Sequence, residues 1–145
     1  MPVKKVQVHV AQGAGFRTEC TAGSHVVVID QPTPAAGTDA GVTPLEAQLM
    51  TLGACIAAIG RIIANQRSLA IRGFDVSVEG ELDTDRLLGK ATQSRAGFSK
   101  ISARVEIDAD LTVAEKEALL REIDERCPIS ENLKERTSVS VDLAR

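Results

Sequence analysis

"TPLEAQLMTLGACIAAIGR", residues 43–61, is the stretch on which the reading of the fold turns. Leu45, Leu49, Leu52, Ile56 and Ile59 recur at helical spacing, and Ile63 continues the series. Thr43 suits the N-cap, Pro44 the first helical position, and Glu46 the third residue after the cap, the arrangement of a capping box. Ala54, Cys55, Ala57, Ala58 and Ile62 widen the apolar stripe almost all the way round. A helix of that kind is central and covered on several sides. Gly53 and Gly60 each cost about 1 kcal/mol in helix propensity and permit close packing against a neighbour. The helix is expected to end near residues 66–68. Near its middle sits Cys55, either a small hydrophobe filling a core or a nucleophile in a pocket.

Outward from this helix the period changes. Residues 3–10 alternate (Val3, Val6, Val8 and Val10 with Lys and Gln between), the pattern of a strand. A turn at residues 12–15 leads to a second strand over 16–21. "AGS" then turns the chain into a third, "HVVVI", at 25–29. A loop rich in Pro, Gly and Asp joins it to the helix. Beyond the helix, residues 71–82 and 98–107 read as two strands separated by a polar, irregular segment. Thr112 and Glu115 repeat the capping-box spacing and open a second helix to about Arg126. Its carboxylates, laced with Lys116, Arg121 and Arg126, read as a solvated face. "CPISENLKE" starts a short third helix with Pro128 at its first position, and residues 137–143 alternate as a closing strand. Strands in blocks, in the order βββ-α-ββ-αα-β, predict an α+β fold with a mainly antiparallel sheet.

The chain has 145 residues, the size of one domain, expected over 1–145. Hydrophobic residues make up 43%, enough for an ordinary core, but with three Phe and neither Tyr nor Trp that core is built from Ile, Val, Leu and Ala. The lack of aromatic platforms and a net charge of −3 argue against nucleic-acid binding. "MPVKKVQVHVAQG" lacks the apolar core of a signal peptide. The apolar run at residues 49–60 is shorter than the roughly 20 residues a bilayer requires. A cytoplasmic protein without membrane association is the expectation. Thiols stay reduced in that compartment, so the three cysteines point to catalysis, redox work, metal binding or burial and not to a disulfide scaffold.

Cys20, in a strand, fits a buried structural thiol. Cys127 precedes a Pro that opens a helix, where backbone N–H groups favour a thiolate; it is either that or a cysteine that merely caps. For Cys55, apolar neighbours alone would raise the pKa, and reactivity would need a positive partner from elsewhere in the fold. Glu46 is either a polar member of a site or the cap partner of Thr43. His9 and His25 lack the close spacing of a zinc site with the cysteines, and no metal is expected. There is no phosphate loop and no nucleophile elbow.

"GTDAGVTPLEAQLMTLGAC", residues 37–55, followed by "CPIS" at 127–130, resembles the OsmC/Ohr family, that is, osmotically inducible protein C and organic hydroperoxide resistance protein. The resemblance covers nearly the whole chain. It implies an intertwined homodimer in which two long central helices pack between sheets, and thiol peroxidase chemistry without a cofactor. By that resemblance Cys55 is the peroxidatic cysteine and Cys127 resolves its sulfenic acid as a disulfide. The implied substrate is an organic hydroperoxide, and the implied reductant a small dithiol or dithiol protein. Arg17 and Glu46 become candidates for activating or positioning the thiolate. The better-known branches place a Glu directly after the Pro. Here Leu45 stands there and Glu46 comes one residue later, about 100° round the helix, a variant that resembles the OsmC-like branch. The alternative is a non-catalytic protein on the same dimeric fold, binding a small apolar ligand or sensing redox state.

Overall fold

A computed structural model describes residues 1–144 of the chain. It contains two compact units, Met1–Gln48 and Leu49–Arg145, with the boundary inside the long helix.

In the first unit, β1 (His9–Gln12), β2 (Thr18–Ala22) and β3 (His25–Ile29) form an antiparallel sheet in chain order. Cys20 stands opposite Val10 on one side and Val27 on the other. The β2–β3 turn places Gly23 at φ 59°, the left-handed conformation that a tight hairpin asks of its first turn residue. The strand expected over 3–10 is shorter, because β2 pairs with β1 only from His9 to Gln12. After β3 the chain is tied down by Asp30, which is 1% exposed. Its carboxylate accepts from the Gln31 N–H at 2.8 Å, the Thr38 N–H at 3.1 Å, the Thr38 hydroxyl at 2.5 Å and the Ala40 N–H at 3.1 Å. These bonds close the Pro-rich loop, which includes a short 3₁₀ turn at Thr33–Ala35.

Helix α1 spans Pro44–Arg67. At its start the Glu46 carboxylate accepts from the Thr43 N–H at 2.7 Å and the Thr43 hydroxyl at 2.9 Å, while the Glu46 N–H donates to Thr43 Oγ1 at 3.3 Å. The expected capping box is therefore present. At its end Ser68 adopts φ 53°. The Leu69 N–H reaches back to the Ala64 carbonyl at 2.9 Å and the Ser68 N–H to that of Asn65 at 3.5 Å. That pair of bonds is a Schellman ending, built on Ser where Gly is usual.

In the second unit, β4 (Ile71–Glu81) and β5 (Lys100–Ala109) form a long antiparallel ribbon, followed by α2 (Val113–Arg126) and α3 (Pro128–Lys134). A register shift between Ile71 and Gly73 changes the parity of β4, so Ile71 and then Phe74, Val76 and Val78 turn to the inner face. They meet Leu52, Ile56, Ile63 and Ala64 of α1, Ile107 and Ala109 of β5, and Leu119 and Ile123 of α2 in one hydrophobic core. Gly60 lets α1 lie close to the ribbon: a Cβ there would sit 2.5 Å from Cζ of Phe74. Arg61 extends over the same ring, 5.8 Å from its centroid, and donates to the Ile71 carbonyl at 2.7 Å.

Two features of the sequence are not satisfied within a single chain. Met50 and Ile62, on the outward side of α1, are 56% and 44% exposed, although the helix is apolar nearly all round. Residues 137–143 keep their alternation but belong to no strand among the described residues, and Val139, Val141 and Leu143 are exposed. A strand needs a ladder partner, because its backbone groups cannot pair within the segment.

Candidate active site

The site begins with a dipeptide. A proline clashes with helical backbone at the residue before it and lacks an N–H to continue the ladder. Cys127 accordingly leaves α2 with extended backbone (φ −81°, ψ 108°), and Pro128 opens α3 at its first turn. Cys127 is at once the last cap of α2 and the first of α3. Its N–H donates to the Asp124 carbonyl at 3.4 Å, and its Sγ accepts from the Ser130 N–H at 3.4 Å. The side chain is completely buried against the core.

Cys55 comes to the same place from α1. It is half-buried, packs on the core one residue before Ile56, and lies near enough to the Cys127 thiol for that thiol to act on its titration. The Ile129 N–H is close enough to act on it too. Of the two consecutive N–H groups, that of Ser130 is bonded to Cys127 Sγ and that of Ile129 lies beside Cys55. Burial pushes the Cys55 thiol above its ordinary range, and the neighbouring Cys127 thiol adds to that; the Ile129 N–H works against them. No arginine or lysine is among these influences. Both cysteines are free thiols. A disulfide would need the sulfurs to close to roughly 2.05 Å.

The other residues expected at the site have partners of their own. Arg17 lies on the first unit, where it pairs with Glu19 at 2.9 Å, both side chains being about half exposed. Glu46 is held by Thr43, whose N–H and hydroxyl keep its carboxyl below the usual range. Cys20 is half-buried in β2. Among the described residues no group of three or more His, Cys, Asp or Glu side chains could hold a metal ion. A shallow hollow of about 420 Å³ lies over Gly73, Phe74, Asp75, Glu106, Ile107 and Asp108 of the ribbon, and neither Cys55 nor Cys127 lines it.

Three contributors escape a sequence reading. Ile129 acts through its backbone, which no side-chain pattern reveals. Ser130 is buried and donates its hydroxyl to Asp124 Oδ1 at 2.6 Å. Asp124 belongs to a run of charges that looks like a solvated face, yet its other oxygen holds Lys134 at 2.5 Å. The "CPIS" tetrapeptide and the Asp three residues before its Cys were the available signal.

The family model for OsmC-like proteins matches residues 37–142, and the chain belongs to that family. The fold agrees. An OsmC-like protein from Mycoplasma pneumoniae superimposes with a TM-score of 0.79 at 22% identity, over 90% of this chain and 88% of that one. A Legionella pneumophila structure described as an organic hydroperoxide resistance protein OsmC and predicted redox protein gives 0.68 at 19% identity, over 92% of each chain. The organic hydroperoxide resistance protein OhrB of Bacillus subtilis gives 0.61 at 20%, over 92% of this chain and 93% of that one. No functionally curated protein matches the sequence significantly.

Proposed function

We propose that this protein is a thiol-dependent peroxidase of the organic hydroperoxide type, acting in stress defence or detoxification as a single OsmC-like domain over 1–145. The observation that carries the reading is the nearness of the Cys55 and Cys127 thiols. The hydroperoxide-resistance names among its structural neighbours lend it support.

In this reading the Cys55 thiolate attacks the terminal oxygen of an organic hydroperoxide. The O–O bond breaks, the leaving alkoxide takes a proton to become the alcohol, and Cys55 becomes a sulfenic acid. The Cys127 thiolate then attacks that sulfur, the S–O bond breaks, the leaving hydroxide takes a proton to become water, and the Cys55–Cys127 disulfide forms. A small dithiol or dithiol protein restores both thiols by exchange. The apolar surroundings of Cys55 suit an alkyl chain.

The active form is a cytoplasmic homodimer. Met50, Ala54, Ala58 and Ile62 make an apolar outward stripe on α1, and a second copy covers it. Although α1 is long and apolar enough by composition to cross a membrane, its other face is committed to the core. In this reading Arg17 supplies a positive charge to the Cys55 thiolate, with Glu46 positioning it.

The raised pKa of Cys55 favours a second reading, in which the same fold binds a small apolar ligand or senses redox state without turnover. Treating the reduced protein with cumene hydroperoxide and mapping thiols by mass spectrometry separates the two. Peroxide consumption with a Cys55–Cys127 disulfide supports the peroxidase. Untouched peroxide and free thiols reject it.

A further inference from the structure

We infer that Asp124, Ser130 and Lys134 form a clasp across the α2–α3 break that holds the Ser130 N–H on Cys127 Sγ and the Ile129 N–H beside Cys55, and so tunes the reactivity of Cys55. The inference rests on the reading of Cys55 and Cys127 as the reacting pair.

α3 has only seven residues, too few to hold its own conformation by helix formation alone. Yet its first turn sets the Ser130 N–H on Cys127 Sγ and the Ile129 N–H beside Cys55, so something outside the helix must fix its direction. Asp124, in the last turn of α2, is placed to do this three times over. Its carbonyl accepts from the Cys127 N–H at 3.4 Å, its Oδ1 from the Ser130 hydroxyl at 2.6 Å, and its Oδ2 from Lys134 at 2.5 Å. Ser130 is the pivot: 6% exposed, it gives its hydroxyl to Asp124 and its N–H to Cys127 Sγ. Lys134 anchors the other end of α3, but both partners of that pair are about half exposed, so it is the weaker strap. Lys134 and Ser130 together hold the Asp124 carboxyl below its ordinary range, which keeps it the charged acceptor the clasp needs.

A backbone N–H donated to sulfur favours the thiolate. The titratable neighbour of Cys55 is the Cys127 thiol, which opposes ionisation; the Ile129 N–H is the group that assists it. Loosening the clasp removes that assistance without touching either cysteine. These are positioning residues, since none of their side chains touches either sulfur and only the Ser130 backbone N–H reaches one, that of Cys127.

The test is the pH dependence of Cys55 alkylation by iodoacetamide in full-length protein, read residue by residue by mass spectrometry, alongside thermal melting. Ser130→Ala is expected to raise the Cys55 pKa by about half a unit or more, slowing alkylation at pH 7 roughly threefold. Asp124→Asn keeps an acceptor for Ser130 and should give a smaller shift. Lys134→Met, on the solvent side, should shift it in the same direction by less still and covers the case in which Ser130→Ala does not fold. If the folded variants melt lower but leave the Cys55 pKa unchanged, the clasp is only structural and the inference is wrong. No peroxide enters this assay, so failure of the clasp and failure of the peroxidase reading are distinguishable.

Discussion

The Cys55 thiol on α1 lies beside the Cys127 thiol at the α2–α3 break, the first half-buried and the second wholly buried. Their difference in access sets the order of any chemistry. A reagent reaches Cys55 first, and Cys127 is reached through Cys55 or by opening α3.

Under hydroperoxide, Cys55→Ser should abolish turnover, while Cys127→Ser should consume about one equivalent and stop at a sulfenic acid. Peroxide consumption followed with a dimedone trap reads both. Normal turnover by Cys55→Ser would contradict the assignment of the nucleophile.

Cys55 should titrate above an ordinary thiol in the isolated, reduced chain. Its folded pKa is raised, so the fold favours the protonated form. That contribution to stability is complete below the unfolded pKa of about 8.5 and is lost as pH rises through the higher folded value. Thermal melting should therefore decline at alkaline pH less steeply in Cys55→Ala than in the parent protein.

Asp30 predicts the opposite limb. Its carboxyl is pushed down to about 2, first by the Thr38 hydroxyl and further by the N–H groups of Gln31, Ala40 and Thr38, with burial opposing them. The stabilisation is present above the unfolded value of about 3.9 and disappears as pH falls towards the folded one. In Asp30→Asn the side-chain N–H₂ replaces an oxygen that accepts bonds, so the loop over residues 31–40 should become protease-sensitive at neutral pH. An unchanged cleavage pattern would show that the loop does not depend on Asp30.

Gly60→Ala should destabilise the protein, against the usual direction for a helix. Alanine gains about 1 kcal/mol of helix propensity, but its Cβ would fall 2.5 Å from Phe74 Cζ and 2.7 Å from Cε1. Overpacking of this kind costs about 1–3 kcal/mol, so the net loss should be about 1 kcal/mol, a few degrees in melting temperature. The pair Gly60→Ala with Phe74→Leu should recover part of it; stabilisation by Gly60→Ala alone would mean that α1 rides higher over β4.

Ile62→Glu should leave a single chain folded and break the proposed homodimer, because Ile62 is 44% exposed and outside the core. Light scattering reads the outcome. A dimer that survives the charge would place the interface elsewhere.

The parts of this protein that are legible in its sequence are the ones decided within a few residues. Thr43 with Glu46, and Thr112 with Glu115, close capping boxes because each partner lies one turn from the other. Pro128 breaks the helix at Cys127 through its own ring and the residue beside it. The alternation of β4 and β5 and the helical period of α1 announce their inner faces, although the register shift at Ile71 to Gly73 leaves no mark in the pattern. Only the tertiary structure decides that Cys55 meets Cys127, that Asp124 leaves its row of charges to hold Ser130, and that Gly60 is where Phe74 packs. Those contacts join residues far apart in the chain, and their energy depends on burial and close approach that no local pattern encodes. The same reason explains residues 137–143, whose sequence alternates as a strand should although they join no strand among the described residues.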